Sequence, residues 1–90
     1  MNIFVGNLPF RMSAYEIERL FSAYGIISSV RVILDRHTGR SRGFGFVDMP
    51  DYHEAREAIS ILNGYEIQGR PISVNSAHSR EYHDPQSLAG

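Results

Sequence analysis

RGFGFVDM, the run from Arg42 to Met49, alternates as a β-strand does. Arg42, Phe44, Phe46 and Asp48 fall on one face, and Gly43, Gly45, Val47 and Met49 on the other. The second face can pack on helices, and its glycines would let a helix layer come close. The first then carries two phenylalanines and an arginine with nothing in the local sequence to cover them. A small domain has little stability to spare, so exposed rings need a reason. Rings beside a cation suit the stacking of flat ligands, unpaired nucleobases above all.

Working outward, Ile27 to Asp35 reads as a preceding strand in which Val30, Val32 and Leu34 alternate with Ser29, Arg31 and Ile33. The polar segment Asp35 to Ser41 joins the two strands as a loop. Further back, Asn2 to Gly6 is a short strand with Ile3 and Val5 on one face and Phe4 on the other. Ser13 then opens a helix. Ser13 and Glu16 have the spacing of a capping box, and Ile17, Leu20, Phe21 and Tyr24 form one apolar stripe that ends at Gly25. Downstream, Pro50 and Asp51 start a second helix, with Glu54 three residues after the cap. Ala55, Ala58, Ile59 and Leu62 form its stripe, and Asn63-Gly64 closes it. Tyr65 to Arg70 predicts a small hairpin or loop. Pro71 to Ser76 predicts the last strand, at a sheet edge because it opens on proline.

The order β-α-β-β-α-β is an α+β, ferredoxin-like arrangement: a four-stranded antiparallel sheet with two helices on one face. Right-handed crossovers put both helices on the same side, so the opposite face meets solvent or a partner. By alternation that face carries Phe4, Ser29, Arg31, Ile33, Arg42, Phe44, Phe46, Asp48, Ser73 and Asn75. Strands one and three are central neighbours in this topology, so Phe4 should sit beside Phe44 and Phe46. Residues 1–77 form the domain, and the polar segment 78–90 reads as a mobile tail.

Composition narrows the function. The net charge is −1 and the pI near 6.4, which argues against a strongly basic, charge-driven binder. Charge is segregated, however. Arg31, Arg36, Arg40 and Arg42 cluster against the single acid Asp35, while Glu16, Glu18, Asp51, Glu54 and Glu57 sit on the helices or at their starts. Every basic side chain other than histidine is arginine, which can fork onto a phosphate and lie flat on a ring. There is no cysteine, so neither disulfides nor thiolate metal sites are available. His37, His53, His78 and His83 are scattered without ligand spacing, so no metal site is expected. Gly43 and Gly45 lie inside a strand, not between a strand and a helix, which speaks against a phosphate-cradling loop. No nucleophile–base constellation is evident, so neither catalysis nor a cofactor is expected. No apolar run reaches membrane-spanning length, and the first ten residues do not read as a signal peptide. The expectation is a cytoplasmic protein, or a nuclear one in a eukaryote.

RGFGFVDM resembles the ribonucleoprotein octamer of the RNA recognition motif family, and IFVGNL, Ile3 to Leu8, resembles its companion hexamer. The likeness spans roughly residues 1 to 77. Met49 departs from the aromatic residue usual at the last octamer position, but its parity places it on the core side, where methionine packs well. The resemblance implies that Phe4 and Phe44 each stack under a base, that Phe46 touches the sugars between them, and that Arg42 pairs with a phosphate. It further implies that Arg31 and Ile33 flank the site. Asn75 to Arg80, His78 included, would read base edges. The partner so implied is single-stranded RNA, with single-stranded DNA bound more weakly, by a monomer acting in post-transcriptional regulation or as an RNA chaperone. With no second domain in these 90 residues, the chain resembles the small single-domain RNA-binding proteins of bacteria. A protein–protein interaction module using the same sheet face is the alternative.

Overall fold

The helices start where side chains can satisfy the first exposed N–H groups. Ser13 is extended at φ −90° and ψ 166°, and its Oγ accepts from the Glu16 N–H at 3.2 Å. Glu16 Oε1 in turn accepts from the Ser13 N–H at 2.9 Å, which completes the capping box. Asp51 caps the second helix by accepting from the Glu54 N–H at 3.0 Å. The Glu54 carboxylate does not return to the cap there. It accepts instead from the Ile26 N–H at 3.1 Å, and so ties the loop that follows the first helix to the start of the second.

In the computed structural model of the protein, residues 1–77 are described. Its elements are β1 (Asn2–Gly6), α1 (Ala14–Ser22), β2 (Ser29–Leu34), β3 (Ser41–Asp48), α2 (Tyr52–Leu62), β4 (Glu66–Ile67), β5 (Arg70–Pro71) and β6 (Ser73–Ser76). β2, β3, β1 and β6 form one antiparallel sheet in that order, so β1 and β3 are the central pair, as the topology requires. Ile3, Val5, Val47 and Val74 of the sheet are buried against Ile17 and Phe21 of α1 and Ala55, Ala58 and Leu62 of α2. Both helices therefore cover the same face. Met49 is fully buried in that core. The anticipated mobile tail lies outside the described residues.

Two local expectations are corrected. Leu34 follows Val30 and Val32 in the alternation, yet it is 55% exposed, because beside Val32, Met12 and Ala14 it lines an open groove rather than the closed core. The β2–β3 register shifts between Val32, which faces Gly45, and Leu34, which faces Ser41. Arg42, Gly43 and Phe44 thus stand against Ile33 alone, with Gly43 at φ +85°, and this bulge interrupts the β2–β3 ladder. Pro71 does not open the last sheet strand. It pairs with Glu66 in the β4–β5 hairpin, whose turn has Gln68 and Gly69 at φ +53° and +80°. Proline has no N–H to offer a ladder, and β6 begins at Ser73.

Candidate nucleic-acid interface

The register brings three rings together. Phe4 is the Cα partner of Phe46 across β1–β3 and of Asn75 across β1–β6. The ring centroids of Phe4 and Phe44 lie 5.9 Å apart with planes inclined by only 32°. Phe46 stands edge-on to both, at 5.9 Å from Phe4 and 6.3 Å from Phe44. All three are half-buried, and none belongs to the helix-covered core. Two rings of similar inclination are thereby offered side by side, with a third set across them. On β2, Arg31 is paired with Phe46, and its guanidinium carbon lies over that ring, 5.4 Å from the centroid.

The two glycines of the octamer allow close approaches other than the one expected of them. A Cβ on Gly45 would run into the carbonyl of Arg31 on the neighbouring strand, not into the helix layer. A Cβ on Gly43 would lie 3.3 Å from Phe10 and 3.4 Å from the carbonyl of Leu8. Gly6 has a related part, since a Cβ there would stand 2.7 Å from the Phe4 ring, which folds over it.

Positive charge borders this face on its β2–β3 side. Arg31 and Arg42 are exposed, and the β2–β3 loop adds exposed Arg36 and Arg40. That loop is shaped by Asp35, whose carboxylate accepts from the main-chain N–H groups of Thr38 at 3.0 Å and His37 at 2.8 Å. These two bonds, that from Thr38 foremost, hold the Asp35 carboxyl below its ordinary range against an opposing effect of burial, and the charge of Arg42 acts in the same direction as the bonds. The one acid expected on the open face, Asp48, accepts from the Ser28 hydroxyl at 2.6 Å at the far end of β3.

A family model for the RNA recognition motif matches residues 3–73. The chain belongs to the RNA recognition motif family. The chloroplast RNA-binding protein CP31B of Arabidopsis thaliana is 50% identical over 78 residues, which is 87% of this chain and 27% of that protein. The crystal structure of RNA-binding protein PG1 superposes with a TM-score of 0.83 at 52% identity, covering 86% of this chain and 93% of that one. The RNA recognition motif of Rna15, solved with bound RNA (GU), superposes with a TM-score of 0.78 at 27% identity over 91% of this chain and 95% of that one. This RNA recognition motif spans less than half the length of the curated relatives it matches. The expected cytoplasmic placement is overturned. CP31B and other relatives of 44 to 50% identity are chloroplast proteins by name, which points to a plastid, and a sequence free of cysteine does not discriminate between reducing compartments.

Of the anticipated site residues, Phe4, Phe44 and Phe46 are ring neighbours, and Arg31 lies over Phe46. Asn75 is exposed beside Phe4, Arg42 is exposed next to Phe44, and Ile33 is half-buried at the bulge. His78 and Arg80 lie outside the described residues. Two residues at the edge of the site escaped the pattern of alternation, Phe10 and Arg70. Neither lies in a long strand, and only the meeting of the β1–α1 loop with the β4–β5 hairpin brings them to the platform.

Proposed function

We propose that this domain binds single-stranded RNA, without catalysis, by stacking bases on Phe4 and Phe44. Phe46 meets the intervening sugars, Arg42 a phosphate, and Arg31 and Ile33 the flank of the site. Asn75 reads a base edge, and His78 and Arg80 continue that contact. The observation that carries the reading is the trio of phenylalanine rings, 5.9–6.3 Å apart, on the sheet face that the helices leave uncovered. The phenylalanine cluster would otherwise be an unexplained apolar surface on a small domain. Residues 1–77 are the binding unit, with 78–90 as an appended tail, and the unit acts as a monomer.

Each stacked base contributes about 1–3 kcal/mol. Two stacks, a few hydrogen bonds and a phosphate contact, set against the cost of ordering the strand, lead to micromolar affinity, about −8 kcal/mol. Single-stranded DNA binds more weakly, because it lacks the 2′-hydroxyl. The biological setting that suits such binding is post-transcriptional handling of RNA. Titration of the domain into one labelled RNA sequence, first single-stranded and then annealed to its complement, tests the proposal. Saturable binding of the single strand is expected, with little of the duplex, whose bases are not available to stack. Equal binding of both would overturn it.

A further inference from the structure

Phe10 is the most exposed phenylalanine in the described chain, with 64% of its surface open. It is nevertheless held. Leu8 and Pro9 before it are buried, the Leu8 N–H donates to the Gly43 carbonyl at 2.9 Å, and the Met12 N–H donates to the Pro9 carbonyl at 3.0 Å. The Phe10 ring edge rests on Gly43, where a side chain would crowd it. The guanidinium carbon of Arg70 lies over the ring, 5.7 Å from its centroid, while Arg70 Nη1 reaches the Leu8 carbonyl at 3.4 Å. Asn7 Nδ2 donates to the Pro71 carbonyl at 2.8 Å and fastens the hairpin carrying Arg70 to the end of β1. An exposed ring on so fixed a support loses little freedom when something stacks on it.

Its surroundings say what that would be. A cleft of about 300 Å³ runs from Phe4 and Phe44 past Arg42 to Phe10 and Arg70, so the ring closes the end of the same surface that carries the platform. Beyond Phe10 a larger groove, about 830 Å³, continues between Arg11 and Arg40 over an apolar floor of Met12, Ala14, Val32 and Leu34. An aromatic ridge joined to the platform and flanked by arginines on both sides matches the alternation of base and phosphate along a single strand.

We infer that Phe10, backed by Arg70, is a further stacking position that holds one more nucleotide of a strand already seated on Phe4 and Phe44, and that directs the strand toward Arg11 and Arg40. The inference rests on the platform reading and lengthens its footprint beyond the sheet.

The chain contains no tryptophan, so Phe10→Trp places a single fluorescent reporter at this position. A randomised RNA octanucleotide should quench that emission over the same concentrations that saturate the anisotropy of the labelled RNA. A trinucleotide, followed by amide shifts, is long enough for the platform alone and should leave the emission unchanged. Phe10→Ala and Phe10→Leu should each weaken octanucleotide binding about five- to tenfold, at the lower end of a stacking contribution, with trinucleotide binding and thermal midpoint as in the parent. Phe44→Ala should weaken both lengths. If Phe44→Ala loses affinity while the Phe10 variants and the parent bind the octanucleotide equally, the extra position is overturned and the platform stands. Equal loss on both lengths in the Phe10 variants also overturns it, since the ring would then act only by shaping β3 through Gly43. If Phe44→Ala binds as the parent does, the platform itself falls.

Discussion

Replacing Phe44 by alanine should separate affinity from stability. The ring centroid lies 5.9 Å from that of Phe4 and 6.3 Å from that of Phe46, and the side chain is half-buried and stands outside the core cluster. Its removal therefore opens no core cavity. The loss of two aromatic contacts, each worth about 0.5–1.5 kcal/mol and weaker where water reaches the pair, should lower stability by about 1 kcal/mol. The loss of one stacked base should cost about 1–3 kcal/mol of binding, or roughly 5- to 150-fold in Kd. Ile3 is the control. It precedes Phe4 in β1, points to the opposite face and is fully buried, so Ile3→Ala should cost roughly 2–5 kcal/mol of stability. While it remains folded, it should bind RNA within about twofold of the parent, because truncating a core residue removes no contact from the open face. Fluorescence anisotropy with a labelled RNA octanucleotide reads the first quantity, and urea denaturation reads the second. Phe44→Tyr keeps a π-face and should bind nearly as the parent does. The reasoning fails if Phe44→Ala unfolds as easily as Ile3→Ala while its affinity is unchanged, for the ring would then be structural.

Gly6→Ala should displace the Phe4 ring, since the added Cβ would stand 2.7 Å from it, and weaken RNA binding several-fold with a smaller change in melting temperature; unchanged affinity would show that the ring does not need that seat. Gly45→Ala has no flexible neighbour to yield, because it meets the Arg31 carbonyl, so a stability loss of roughly 1–3 kcal/mol is expected on thermal melting. Arg42→Gln should make the slope of log K against log salt shallower by about 0.7, the value for one phosphate on a single strand, and an unchanged slope would remove Arg42 from the phosphate contacts. The Asp35 carboxyl titrates below its ordinary value in the folded state, so the ordering it gives the β2–β3 loop is complete above about pH 4 and is lost as the pH falls through the lowered value. The amide shifts of His37 and Thr38 should report a midpoint below about 3.9, and a midpoint at or above it would show that the two bonds are not retained in solution.

Much of the site could be read from residue order alone. Phe4, Phe44 and Phe46 share a face because side chains alternate along a strand, and two helices can cover only one side of four strands. Ser13 with Glu16, and Asp51 ahead of Glu54, marked both helix starts because the pattern of an N-cap is local. The platform thus followed from short-range periodicity joined to one topological rule.

Other features depend on which distant segments meet. The bulge in which three residues of β3 oppose one of β2 belongs to the pairing of two strands rather than to either one. Gly45 is required by the Arg31 carbonyl, fourteen positions back in the chain. Glu54 leaves its own cap for the Ile26 N–H, a contact that no helix pattern contains. Phe10 and Arg70 lie in a loop and a hairpin whose sequences have no period to interpret, and they are neighbours only because Asn7, Leu8 and Gly43 lock those segments to the end of the sheet. Periodicity along the chain established the fold and the face proposed to bind. Packing between segments far apart in the chain decided where that face ends, because a contact of that kind is specified by both partners at once.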